Sequence, residues 1–350
     1  MISSARVALL GYGLAGAVFH APLIAAVDGL ELTAIVTRSE ERRARAVRDH
    51  PDALLLESAE QVWERSSELD LVVIATPNRK HVSLARAAIE AGLAVVVDKP
   101  LAASADEARG LVDEASRRGV MLTVFQNRRW DADFLTIQRL VEERALGRVL
   151  RMESRFERWR PELSGGWREL AEPEEAGGLL YDLGNHLVDQ ALLLFGPALD
   201  VYAELDVRRA GARIDDDVFV ALTHASGVRS HLWMSAVAAQ LGPRFRVLGD
   251  RAAYVKHGLD VQEGLLTDGV RPGGSGWGEE PEGRWGVLGT ADDIGPVPSE
   301  PGAYQWFYEG IVGTLRGGAP PVDPAEVVAS LEVLDAARRS ARERRVVTLG

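Results

Sequence analysis

The stretch "RVALLGYGLAG", residues 6–16, decides the fold. Its first half is short and apolar without alternation, the pattern of a strand covered on both faces. It runs into glycines at 11, 13 and 16, spaced G-x-G-x-x-G, and then into the helical run "AGAVFHAPLIAAV". Three spaced glycines alone are a weak signal; the order strand, glycine turn, helix gives them meaning. The first glycine then allows a tight turn, the second lets backbone approach a pyrophosphate, and the third lets helix pack on strand. The helix N-terminus receives the anion. Gly11, Tyr12, Gly13, Leu14, Ala15 and Gly16 are therefore expected to bind a dinucleotide.

The neighbouring sequence repeats the same alternation. "ELTAIVT" (31–37), "LDLVVIATP" (69–77), "LAVVVDKP" (93–100) and "VMLTVFQN" (120–127) are further unalternating strands. Between them lie helices such as "KHVSLARAAIEAG" (80–92) and "SADEARGLVDEASRRG" (104–119). The latter opens on a Ser104/Glu107 capping box and stops at Gly119. A β-α-β-α order predicts an α/β, Rossmann-type doubly wound parallel sheet over residues 1–125. Such sheets bind ligands beyond the carboxyl ends of their strands, which singles out three places. The second strand ends in Thr37, Arg38 and Ser39, where an NAD-selective site has an acidic residue; a guanidinium with flanking hydroxyls suits a 2′-phosphate, favouring NADP over NAD. The next ends in Thr76, Pro77 and Asn78, with His81 at a helix start beside the cofactor. The third ends in Asp98 and Lys99, where a reacting carbon would meet the nicotinamide.

After about residue 126 the pattern alternates. "VLRMESRFERW" (149–159) places Leu150, Met152 and Phe156 on one face, and "DVYAELDVRRA" (200–210) does so with Val201, Ala203, Leu205 and Val207. Residues 217–238 form a hairpin around Ala225-Ser226-Gly227, and 244–258 another around Gly249-Asp250. This predicts an α+β domain, 126–350, with an open, mostly antiparallel sheet whose free face serves a homodimer or homotetramer. Residues 269–302, rich in Gly and Pro, are expected to be one long ordered loop. Two helices follow, 303–316 and 324–342, the second entered through Asp323 and Pro324; the C-terminal helices pack back on the first domain.

The totals exclude several functions. The chain has 350 residues, 52 acidic against 40 basic side chains and a net charge of −12, which argues against a nucleic-acid partner. It has no cysteine, hence no disulfide or thiol chemistry. Neither a signal peptide nor a membrane-length apolar run is legible, and no metal-ligand cluster, so a cytoplasmic enzyme without metal is expected. Only Lys80, Lys99 and Lys256 are lysines; in a chain that otherwise uses Arg, a retained Lys draws attention to Lys99.

"GGLLYDLGNH" (177–186) completes the picture. Asp182 and His186 stand four apart, on one face of a helix, with Gly184 between them at a cost of about 1 kcal/mol relative to Ala. Together with G-Y-G-x-A-G and Asp98-Lys99-Pro100, this segment resembles the Gfo/Idh/MocA oxidoreductases over essentially the whole chain. "FHAPLI", "QNRRWDADFLTI", "RWRPE" and "YDLGNHLVDQALLLFG" are similar, more narrowly, to the NADP-dependent scyllo-inositol dehydrogenases within that family. The resemblance implies hydride transfer between a cyclitol or sugar alcohol and a pyridine nucleotide, with Lys99, Asp182 and His186 as the catalytic set. Asp98 departs from the Glu that most members carry. His186 is expected to act as general base, Lys99 to donate to the substrate oxygen, and Asp182 to hold a neighbouring hydroxyl or the imidazole. Asn127, Arg128, Trp130, Arg160, Trp167, Arg168 and Asn185 are candidates for substrate binding, with Arg129, Asp131 and Trp159 beside them. His20, His50, His224, His231 and His257 are assigned no role. Two other readings stay open at this level: a reductase of another sugar ketone such as an anhydro-sugar, and a nucleotide-sensing regulatory protein.

Overall fold

The computed structural model describes residues 4–165 and 176–350. The early apolar runs form strands β1 (Ala5–Leu10), β2 (Leu30–Val36), β3 (Leu54–Leu56), β4 (Leu71–Ile74), β5 (Ala94–Asp98) and β6 (Leu122–Phe125). They pair in parallel in the order β3-β2-β1-β4-β5-β6. Val7–Leu10, Leu71–Ile74 and Val95–Val97 are shut off from solvent, which is why these runs carry no polar alternation. The order reverses between β1 and β4, which is where doubly wound sheets bind ligands beyond the strand ends. Ser104 caps the helix Ala105–Arg118 by accepting the Glu107 N–H at 3.3 Å, and Gly119 ends it at φ +65°. The edge strand β3 was not expected; it is three residues long and its Leu54 is exposed, so it leaves no buried run to detect.

This sheet belongs to a compact unit of Met1–Asn127, Gln262–Trp277 and Ala303–Val328. The single break at 125/126 expected from the sequence gives way to a discontinuous division. Two late segments join the early sheet: Phe125 meets Phe307 at 5.0 Å and Tyr308 at 5.9 Å, and Thr123 Oγ1 donates to the Val322 carbonyl at 2.7 Å. The helix Gln305–Leu315 thereby covers β6.

The second unit comprises Arg128–Val261, Gly278–Gly302 and Ala329–Gly350. Its strands are β7 (Val149–Glu157), β8 (Ala198–Asp206), β9 (Asp217–His224), β10 (Arg229–Ser235), β11 (Phe245–Gly249), β12 (Ala253–Lys256), β13 (Gly286–Gly289), β14 (Ile294–Val297) and β15 (Val347–Thr348). They form one sheet, β14-β13-β12-β11-β7-β10-β9-β8-β15, antiparallel except where β7 meets β10. Both expected hairpins are present, β9–β10 and β11–β12. The helix Asn185–Phe195 packs on β7 and β10, covering Met152, Phe156, Leu232 and Met234. Two face assignments are corrected: Leu150 is exposed, and Val207 lies beyond the end of β8 and is exposed too.

Residues 269–302 are not one loop. Within them β13 and β14 extend the sheet, hidden from pattern reading by Gly286, Gly289, Gly295 and Pro296. The fully buried Lys256 anchors the segment: its ammonium donates to Glu280 Oε1 at 3.0 Å and to the carbonyls of His257 at 3.0 Å and Arg284 at 2.8 Å. Ser299 Oγ donates to the other Glu280 oxygen at 2.7 Å. No helix among the described residues is long and apolar enough to cross a membrane.

Candidate active site

The glycine turn is built by close backbone approach. Gly11 takes φ +101°, and a Cβ there would run into the Ala75 carbonyl at the end of β4. A Cβ at Gly16 would run into the Gly11 carbonyl. In front of Gly13 the space is open, with only Arg42 Nη1 near, at 3.8 Å from a Cβ position. Leu14 is 62% exposed beside it. The next residues, Ala15–His20, wind as a π-helical turn rather than an α-helix, a feature that often accompanies functional sites. The Thr76 hydroxyl is buried without a hydrogen-bond partner among the described residues. The open space at Gly13 and the unsatisfied Thr76 hydroxyl at the end of β4 fit a pyrophosphate. Tyr12, by contrast, turns its ring inward, edge-on to His50 at 6.2 Å, so what it offers the turn is backbone.

At the end of β2, Thr37 is buried and Arg38 exposed, while Ser39 accepts the Arg42 N–H at 3.4 Å and caps the helix Glu40–Asp49. Arg42 was missed in the sequence. The signal was there: it stands one helical turn after Arg38, and it reaches toward Gly13.

His81 serves as a strut between two strand ends. It is fully buried, with Nδ1 2.7 Å from the Pro100 carbonyl and Nε2 2.8 Å from the Thr76 carbonyl. Burial pushes its pKa down, against the two carbonyls, which favour the charged form. It ties the ends of β4 and β5 together. Asn78 stands half-buried and Pro77 exposed at the same end. Next to it the Lys99 N–H donates to Asp98 Oδ1 at 3.0 Å, and the Lys99–Pro100 peptide is cis. Burial pushes the Asp98 carboxyl up, but His20, Lys99 and His81 outweigh it and hold the carboxyl below the usual range. His20 thus has a place after all: Nδ1 lies 2.6 Å from the Tyr308 hydroxyl, and Nε2 lies 3.8 Å from Asp98 Oδ1. That last gap is wider than a hydrogen bond.

In the second unit, Asp182 and His186 do not share one α-helical face. Leu180–Gly184 is a π-helical turn, and the α-helix begins at Asn185. Asp182 is half-buried, whereas His186 and Asn185 are buried. Gly184 is closely packed: a Cβ would stand 3.0 Å from Met234 Cε and 3.3 Å from Leu180 Cδ1.

Asn127 is buried in the first unit at the end of β6. In the second unit Arg128 is buried, 3.5 Å from Asp131 and 5.2 Å over the Phe156 ring. Arg129 is locked in a two-pronged pair with Asp189, at 2.8 and 2.6 Å, and holds the helix Asn185–Phe195. Trp130 is half-buried; Trp159 and Arg160 are exposed at the end of β7. Trp167 and Arg168 lie outside the described residues.

Comparison with known proteins agrees with these two halves. Residues 5–126 match the oxidoreductase family with an NAD-binding Rossmann fold, and residues 134–255 match the GFO/IDH/MocA C-terminal domain. The chain is 34% identical to scyllo-inositol 2-dehydrogenase (NADP(+)) IolW of Bacillus subtilis, covering 99% of this chain and 97% of that one. It is 39% identical to the oxidoreductase YdgJ of Escherichia coli, covering all of both chains. A solved oxidoreductase structure, YvaA from Bacillus subtilis, superposes with a TM-score of 0.94 at 34% identity, covering 100% of this chain and 99% of that one. A dinucleotide-binding sheet followed by a GFO/IDH/MocA C-terminal domain, in a chain alike to such relatives over 99% of its length, places the chain in the Gfo/Idh/MocA family of NAD(P)-binding oxidoreductases.

Proposed function

We propose that the chain oxidises scyllo-inositol to its ketone, or reduces that ketone, with NADP as partner. The observation that carries the cofactor choice is the exposed Arg38 at the end of β2, where an acidic residue would select a free 2′-hydroxyl. Ser39 and Arg42 beside it add donors for a phosphate. The full-length likeness to an NADP-dependent scyllo-inositol dehydrogenase supports the substrate.

A bound nicotinamide supplies the hydride acceptor, and the rest is for the protein to arrange. His186 takes the proton of the substrate hydroxyl, since an imidazole titrates near the working pH. The Lys99 ammonium donates a hydrogen bond to the same oxygen as negative charge gathers on it. Asp182 holds a neighbouring hydroxyl or orients the imidazole. Asn127, Arg128, Trp130, Arg160, Trp167, Arg168 and Asn185 bind the remaining hydroxyls. Copies associate through the open face of the second sheet, where the register sets Phe219 beside Trp233 and Val255 beside Val287.

The test is a spectrophotometric assay with NADP+ or NAD+ against scyllo-inositol, myo-inositol and several aldoses. NADPH forming mainly with scyllo-inositol is the expected result. Turnover confined to another sugar overturns the substrate and keeps the site. Tight NADP binding without turnover in either direction, across the panel, overturns the enzyme reading in favour of a sensor.

A further inference from the structure

The turn that carries Asp182 is held at its start from outside the motif. Gly178 takes φ +84°, and a Cβ on it would run into the Asp215 carboxylate, so Asp215 lies directly against the "GG" of the motif. Asp215 Oδ2 accepts the Leu180 N–H at 2.8 Å, and the Asp215 carbonyl accepts the Leu179 N–H at 3.0 Å. These are two of the amide groups that a helix start leaves without intrahelical partners. From the segment leading into β9, Asp215 therefore does what an N-cap residue does from within a helix. Its charge also sits at the positive end of the turn's dipole.

The cap matters more here than at an ordinary helix, because the turn is π-wound. Where the wide turn begins sets the roll of Leu180–Gly184, and with it the direction in which Asp182 leaves the backbone relative to His186. A second grip lies one residue further on. The Tyr181 hydroxyl donates to Asp335 Oδ1 at 3.2 Å and accepts from Arg338 Nη1 at 3.4 Å, both on the C-terminal helix. The backbone of the turn is thus held by Asp215, and its first aromatic side chain by Asp335 and Arg338.

We propose that Asp215 is a positioning residue for the reaction, fixing the roll of the Leu180–Gly184 turn and so the aim of Asp182 and His186. This rests on the reading that those two side chains act on the substrate. Asp215 acts through the two amides that it caps. Asparagine keeps an oxygen that can accept from Leu180, whereas alanine keeps none.

The experiment uses the full-length protein with Asp215→Ala, Asp215→Asn and, as reference, His186→Ala. It measures kcat per dinucleotide-binding site, KM, the dinucleotide Kd and the isotope effect with carbon-deuterated scyllo-inositol. Asp215→Ala is expected to lower kcat about tenfold to a hundredfold, the scale of a misplaced catalytic group. The dinucleotide Kd should stay within twofold and the isotope effect should rise, because the chemical step becomes slower. Asp215→Asn should recover most of kcat. If Asp215→Ala lowers only the melting temperature, with kcat per site and the isotope effect unchanged, Asp215 is merely structural and the proposal is overturned. If His186→Ala keeps wild-type turnover, the catalytic reading itself fails, and the positioning proposal fails with it.

Discussion

Lys256 shows how much a single residue's chemistry depends on neighbours that are distant in sequence. One carboxylate and two carbonyls close around its ammonium. Three acceptors suit a compact group with three donors, while a planar guanidinium with five would leave some unmet. The scarcity of lysine singled out Lys99; nothing in the local sequence said that Lys256 is the buried one. Lys256→Met should cost about 3–5 kcal/mol, because Glu280 is left buried without its cation. Urea denaturation measures this, and a loss below about 1 kcal/mol contradicts a buried pair of that kind. Arg38 is legible in the opposite way, since its position after β2 follows from the strand pattern alone. Arg38→Ala is expected to weaken NADP binding tenfold or more, about 1.5–3 kcal/mol for a charge-assisted contact, and to leave NAD binding nearly unchanged. Fluorescence titration of both nucleotides checks it; equal losses for the two would remove Arg38 from the 2′-phosphate.

At the scale of elements, the motif turn was half legible. The Asp182–His186 spacing pointed to one α-helical face, yet the first of the pair lies in a π-turn and the second in the helix that follows. Five-residue winding depends on what grips the ends of a turn, and local spacing does not record that. Asp215 is the grip, and it also titrates unusually. Burial pushes its carboxyl up to about 6, although the amides of Leu180 and Leu179 and the charge of Arg338 pull it back. The folded state then holds this proton more tightly than the unfolded chain, whose aspartates titrate near 4. The stability it contributes is full below about pH 4 and lost as pH rises through about 6. Denaturation of Asp215→Asn between pH 4 and 7 should therefore show a flatter profile than wild type. Parallel profiles would place the titration elsewhere.

At the scale of the whole molecule, the nine-stranded sheet carries a face whose aromatic side chains, Phe219 and Trp233, are half-buried among the described residues. On it the Arg155 guanidinium lies 4.1 Å over the Trp233 ring, and Phe219 stands 5.1 Å from the same ring. Light scattering of the wild type should give a dimer or tetramer, and Trp233→Glu should shift it toward monomer. A monomeric wild type at micromolar concentration contradicts association through this face.

The sequence by itself determined what is decided locally. Unalternating apolar runs are strands buried on both faces, alternating runs are strands with one open face, and the glycines at 11 and 16 mark a turn where backbone meets backbone. The capping of Ser104 and the hairpins at 225–227 and 249–250 follow from the same short-range rules. Only the tertiary structure decided which distant segments complete each unit. The return of Ala303–Val328 to the first domain was expected from the sequence, but Gln262–Trp277 joins it too, Val347–Thr348 adds a strand to β8, and Gly286–Val297 extends the second sheet. His20 meets Tyr308, and Asp215 caps the turn of Asp182, for the same reason. A buried polar group must find a partner wherever the folded chain brings one, and sequence separation carries no record of where that is.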